Sequence, residues 1–111
     1  FEVLTERLQS GGTLCLMADR DLSARGVPVE FFGRTASFPA GPASLSLATG
    51  ATLIPVTLSF TDDGWRIVFH PAVAHTDVPR MAQDLAAAFE RGIAEHPADW
   101  HMLQKFWRED L

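Results

Sequence analysis

The chain reads as an α/β domain, and three observations carry that reading. A short apolar run, Thr13 to Ala18, ends abruptly in Asp19-Arg20-Asp21. Two more apolar runs, Ala51 to Phe60 and Trp65 to Val73, flank the turn-forming Thr61-Asp62-Asp63-Gly64. Met81, Leu85, Phe89 and Ile93 then recur at every fourth position. A short continuous apolar run points to a buried strand, two runs around a turn point to a hairpin, and four-residue spacing gives a helix one apolar face.

Each element follows in order. FEVLTERLQ, residues 1–9, predicts a helix with Val3, Leu4 and Leu8 on one side, stopped by Ser10-Gly11-Gly12. The chain thus enters at Phe1 in the middle of a pattern, as expected of a piece of a longer protein. Thr13 to Ala18 predicts a strand buried on both faces, in the manner of a parallel sheet, with Cys15 as a buried thiol. Polar groups just past the carboxyl end of such a strand are where α/β proteins hold ligands, although Asp19, Arg20 and Asp21 would serve equally to solvate a strand end. Leu22 to Pro42 is rich in Gly and Pro yet carries Val27, Val29, Phe31, Phe32 and Phe38. That combination predicts a long, irregular, packed loop of functional importance.

Pro42 to Thr49 predicts a short helix opened by proline and closed by Gly50. In the following strand Pro55 implies an edge position or a bulge. Thr76 or Asp77 is placed to cap a helix from Val78 to Glu95. His96-Pro97 ends that helix and starts another, with Trp100, Leu103 and Trp107 on one stripe. The whole is one unit over residues 1–111, incomplete at its amino end.

Composition narrows the function. The 111 residues are 47% hydrophobic, with a formal net charge of -5, which argues against a general nucleic-acid binder. A single cysteine makes no internal disulfide. No apolar run approaches the ~18 residues that span a bilayer. There is no G-x-G-x-x-G, no Walker-type loop and no G-x-S-x-G elbow. His70 and His75, and likewise His96 and His101, are spaced by five, which does not put two rings on one helical face. Satisfied structural or surface histidines are the expectation, and no metal site.

Glu30 stands apart. Between Asp21 and Asp62 it is the sole carboxylate, set between Pro-Val and Phe-Phe-Gly. A carboxylate in apolar surroundings is costly unless paired, so Glu30 either has a chemical task or pins the loop through Arg34 or Arg25.

In their order, MADRDLSARGVPVEFFGRTASFPAGPASLSLATGATLIPV and HPADWHMLQKFW resemble the lipid A biosynthesis acyltransferase family, and within it the actinobacterial branch that acylates phosphatidylinositol mannosides. The most specific parts are the D-x-D at Asp19 and Asp21, the E-F-F-G at Glu30 to Gly33, the small-residue helix leading to T-G-A-x-x-x-P, and H-P-x-x-W-H. The resemblance implies a glycerolipid-acyltransferase-like mixed sheet flanked by helices. It implies transfer of a fatty acyl group from acyl-CoA, palmitoyl-CoA being the expected donor, to a mannose hydroxyl of phosphatidylinositol mannoside. No cofactor is implied. The setting it implies is peripheral, at the cytoplasmic face of the inner membrane.

Family members use an H-x-x-x-x-D or E motif whose histidine is the general base. No histidine of this chain has an acid five residues on, so the base is expected upstream of Phe1, in an amino-terminal partner segment. Glu30 is then the expected catalytic carboxylate orienting that histidine. Asp19, Arg20, Asp21, Phe31, Phe32, Gly33 and Arg34 are the expected substrate-binding residues. Arg20 and Arg34, together with Arg25, would meet phosphate groups of coenzyme A or the inositol phosphate or equally serve surface solvation. The phenylalanines, with Phe38, would line an acyl tunnel unless they are plain core. Trp100, Phe106 and Trp107 suit a membrane interface or helix packing equally. Acylation of lipid A precursors is the sister activity, and a non-catalytic α/β binding piece the alternative of another class.

Overall fold

The computed structural model describes residues 1–21, 23, 25–100, 102 and 105–110. Val27, Val29 and Phe31 alternate with Pro28 and Glu30, and alternation sends the two sets to opposite faces of a strand. Val29 and Phe31 are accordingly buried, while Pro28 and Glu30 are exposed. This strand, β1 (Val27–Phe31), pairs antiparallel with β2 (Arg34–Phe38), Val27 opposite Phe38 and Phe31 opposite Arg34.

Only Phe32 and Gly33 connect them, at φ of 51° and 76°. Two positive φ angles in a two-residue connection match the twist of the flanking strands. The left-handed conformation costs a residue with a Cβ about 1–2 kcal/mol. Phe32 is held there by an edge contact with the Phe31 ring, centroids 4.8 Å apart, and by its N–H, which donates to Glu90 Oε1 at 2.5 Å. The irregular loop expected over 22–42 is therefore corrected to a hairpin. Phenylalanine at the first turn position carries no turn signal, and Pro28 speaks against a strand.

Helix α1 (Glu2–Gln9) forms as expected but buries none of its residues. Helix α2 (Gly41–Thr49) has Pro42 in its first turn and ends at Gly50, φ 76°. Strands β3 (Val56–Thr61) and β4 (Gly64–Phe69) form the expected hairpin, with Pro55 just ahead of it. Helix α3 (Val78–Glu95) is capped by Asp77, whose Oδ1 accepts the Arg80 N–H at 2.8 Å.

Two apolar clusters meet on α3. Val29, Phe31, Ala36, Phe38, Ala82, Ala86 and Phe106 form one, and Ala43, Val73, Met81 and Leu85 the other, with Phe89 packed against both. The result is mixed α/β: helices with two separate two-stranded antiparallel sheets. The parallel strand expected at Thr13 to Ala18 does not form among the described residues. Burial on both faces requires neighbouring strands, and neither described hairpin pairs with this segment. Leu16, Met17 and Cys15 are consequently exposed, against the expectation of a buried thiol. The second carboxyl-terminal helix is also corrected. Among the described residues a 3-10 turn, Pro97–Asp99, follows α3 and another, Arg108–Asp110, lies near the end, while Trp107 bridges to Ala36 in antiparallel fashion. Leu103 and His101 lie outside the described residues.

Helix α3 approaches β3 closely at Gly92, where an added Cβ would lie 2.4 Å from Thr57 Cγ2 and 2.7 Å from Thr57 Cβ. A β-branched neighbour cannot swing aside. Alanine at 92 gains about 1 kcal/mol of helix propensity but overpacks at about 1–3 kcal/mol. Gly92→Ala is expected to lower stability overall, read as a lower urea midpoint. An unchanged or higher midpoint would show that the two elements separate freely.

Candidate functional site

Glu30 is positioned through its backbone. At the free edge of β1, its N–H donates to Gln83 Oε1 at 2.8 Å, and Gln83 Nε2 donates to its carbonyl at 2.9 Å. With both groups turned away from β2, Glu30 and Thr35 form a close pair that exchanges no backbone hydrogen bonds, their side chains on one face. The Thr35 hydroxyl donates to Glu30 Oε1 at 3.2 Å. The same period turns the Pro28 nitrogen outward, where a missing N–H costs nothing. The Glu30 carboxylate is thus exposed on the outer face of the hairpin, fixed at its root and open at its tip. The apolar surroundings suggested by its sequence neighbours are corrected, since alternation takes Val29 and Phe31 to the opposite face.

The E-F-F-G turn divides its roles. Phe31 has no exposed surface and is ringed by Phe32, Phe38, Trp100, Phe106 and Trp107, centroids 4.8 to 6.0 Å away. It supports the turn from within this aromatic cluster. Phe38, fully buried in the same cluster, is likewise core. So are Phe106, buried, and Trp100 and Trp107, partly buried against it, which favours packing over a membrane interface. Phe32, exposed, and Gly33, with open space around its Cα, form the turn tip. Arg34 ion-pairs with Glu109, and its guanidinium carbon sits 4.7 Å from the Trp107 ring centroid.

The D-x-D segment is fastened to the other end of the same hairpin. The Asp21 N–H donates to the Ser37 carbonyl at 2.9 Å. Gly26 fits against this junction because a Cβ there would lie 2.7 Å from Ser37 Cβ and 3.1 Å from Asp21 Cβ. Arg108 closes it, donating from Nε to Ser37 Oγ at 2.8 Å and from Nη2 to the Gly26 carbonyl at 3.0 Å. Hydrogen bonds from the Ser23 hydroxyl and then the Ser23 N–H hold the Asp21 carboxyl below its ordinary pKa, the latter at 2.7 Å. Arg20 Nη1 lies 3.7 Å from Met102 Sδ.

Asp19 faces elsewhere. It lines an apolar cleft of about 340 Å³ together with Met17, Leu58, Phe89, Ile93 and Trp100. That volume lies within the range of small-molecule sites. The cleft wall includes none of Glu30, Phe31, Phe32, Gly33 or Arg34. The fold therefore brings Asp21 and Glu30 to one hairpin, on which Ser37 and Thr35 stand about 7 Å apart along β2. Asp19 is left on a separate surface.

Two histidines are accounted for structurally, as expected. His70 Nε2 is 2.8 Å from Thr57 Oγ1, and His75 Nε2 is 2.8 Å from Ser46 Oγ and 3.1 Å from the Ala51 carbonyl. Ser46 itself donates to that carbonyl at 2.6 Å, so His75 acts there as a donor and locks the end of α2. Sequence reasoning missed Gln83, Glu90, Ser37 and Arg108. The legible trace was the seven-residue spacing of Gln83 and Glu90, which puts two polar side chains over β1 from one side of α3.

The family described as bacterial lipid A biosynthesis acyltransferase matches residues 1–109, and the chain belongs to that family. Over 113 aligned residues it is 50% identical to proteins named phosphatidylinositol mannoside acyltransferase from two strains of Mycobacterium tuberculosis. It is also 50% identical to the protein of that name from Mycolicibacterium smegmatis. All of this chain is covered, but only 36% to 37% of each relative. The chain thus spans little more than a third of the length of these curated relatives.

Proposed function

We propose that this chain is part of an acyltransferase that moves a fatty acyl group from acyl-CoA, palmitoyl-CoA in the first instance, to a mannose hydroxyl of phosphatidylinositol mannoside. The observation that carries the reading is the 50% identity across the whole chain, including the Glu30 hairpin, to proteins of that name. Their names favour a phosphatidylinositol mannoside over a lipid A precursor as acceptor.

The chemistry asks for a base, and a histidine in the remainder of the longer protein supplies it. It removes the hydroxyl proton, and the oxygen attacks the thioester carbonyl. The tetrahedral intermediate then expels the coenzyme A thiolate, which takes up the proton. Glu30 orients the imidazole and stabilises the imidazolium formed when it accepts the proton. A carboxylate rooted by two backbone hydrogen bonds and open at its tip suits that part. The enzyme works peripherally, at the cytoplasmic face of the inner membrane. No described helix is long and apolar enough to cross a membrane.

The test is transfer of radiolabel from palmitoyl-CoA by the purified longer protein, offered phosphatidylinositol mannoside or a lipid A precursor. Label in the mannoside is the expected result. Label only in the lipid A precursor reassigns the acceptor, and label in neither refutes the reading.

A further inference from the structure

The β3–β4 hairpin has its alternation inside out. Thr57, half-buried, and Ser59, 6% exposed, lie on the side that packs toward α3 at Gly92. The opposite side carries Val56, Leu58 and Phe60 on β3, directly across from Phe69, Ile67 and Trp65 on β4, with Val56 and Leu58 also lining the cleft described above. All six are between 38% and 71% exposed. A two-stranded sheet with one wet face normally turns its polar residues to water. Here three successive cross-strand pairs are large and apolar, and the last, Phe60 with Trp65, is in ring contact at 4.3 Å between centroids.

Taking about 150–250 Å² for a large side chain, the exposed part of this face amounts to roughly 600 Å². That is at the upper end of what a monomer leaves uncovered and approaches one side of a standard protein interface, about 800 Å². The rim argues for the kind of partner. The turn at the end of the face carries Asp62 and Asp63, and between residues 51 and 75 the one Lys or Arg is Arg66, which alternation places on the other side. An anionic bilayer draws in faces rimmed with Lys and Arg, so an acidic rim disfavours it. Close to two thirds of each curated relative lies outside its match to this chain, which supplies ample polypeptide to cover the face.

We propose that the outer face of β3–β4 is an internal interface, covered by the polypeptide corresponding to that unmatched part of the relatives. The proposal rests on family membership and the hairpin's geometry, not on acyl transfer, so it stands or falls separately from the proposed function.

Trp65 reports on it directly. The longer protein is labelled with 5-fluorotryptophan, its Trp65 resonance assigned by loss in Trp65→Phe, and its broadening by a soluble gadolinium chelate measured in vesicle-free buffer. Little broadening, independent of protein concentration, is the expected result. Strong broadening overturns the proposal by showing the face open to water. Protection that develops only as the particle mass doubles overturns it in favour of a second copy. Protection that requires added vesicles of phosphatidylinositol and phosphatidylcholine overturns it in favour of a bilayer.

Discussion

Glu30→Gln is expected to slow acyl transfer by about 10²–10⁴-fold while leaving KM for palmitoyl-CoA nearly unchanged, the range usual for disabling acid–base machinery. Glutamine keeps the size of the side chain and can still meet the Thr35 hydroxyl. The Gln83 hydrogen bonds engage only the backbone of residue 30 and should persist. What is lost is negative charge. A carboxylate beside a histidine raises its pKa by favouring the imidazolium, so removing it lowers that pKa. The acid limb of the pH–rate profile, where the base becomes protonated, should therefore move to lower pH in the variant. A loop-pinning role would lower stability and leave the profile in place. Near wild-type kcat with an unmoved acid limb would remove Glu30 from the chemistry.

The largest stability loss is expected at its neighbour. Phe31→Ala should cost about 3–5 kcal/mol, as truncation of a buried aromatic does when the site cannot collapse. Five aromatic rings surround Phe31, contributed by β2, the β1–β2 turn and the residues Trp100, Phe106 and Trp107. Against a total stability of about 5–15 kcal/mol, such a loss lowers the melting temperature steeply or prevents folding. Phe32→Ala, at a 43% exposed position, should cost far less. Equal losses at 31 and 32 by thermal melting would mean that the cluster is not centred where its geometry places it.

These two adjacent phenylalanines show where sequence reading works and where it stops. Helix α3, with its cap narrowed to Thr76 or Asp77, and the Pro42-to-Gly50 span of α2 were legible because local chemistry decides them: caps, a proline, a left-handed glycine, and a four-residue stripe. The β1–β2 hairpin was not. Its Val27, Val29, Phe31 alternation is only five residues long, contains Pro28, and turns at a phenylalanine that tertiary contacts force into a glycine-like conformation. Without the hairpin, Glu30 could be singled out as a lone carboxylate, but its face was invisible, and with it the distinction between a buried and an exposed acid. Thr13 to Ala18 failed for the opposite reason. Its pattern is strand-like, but a strand exists only with a neighbour, and neighbours are properties of the whole fold. Gln83 shows the same limit, since nothing local marks a glutamine whose partner lies 53 residues away.

Among the described residues, both flanks of the first hairpin are engaged. Gln83 occupies the amide and carbonyl of Glu30 on one side, while Asp21 and Trp107 engage Ser37 and Ala36 on the other. Open strand flanks are where chains stack into fibrils. The sheet bearing Glu30 is thereby closed to such stacking, and fibril growth, should this chain be driven to it, would have to start from the second hairpin.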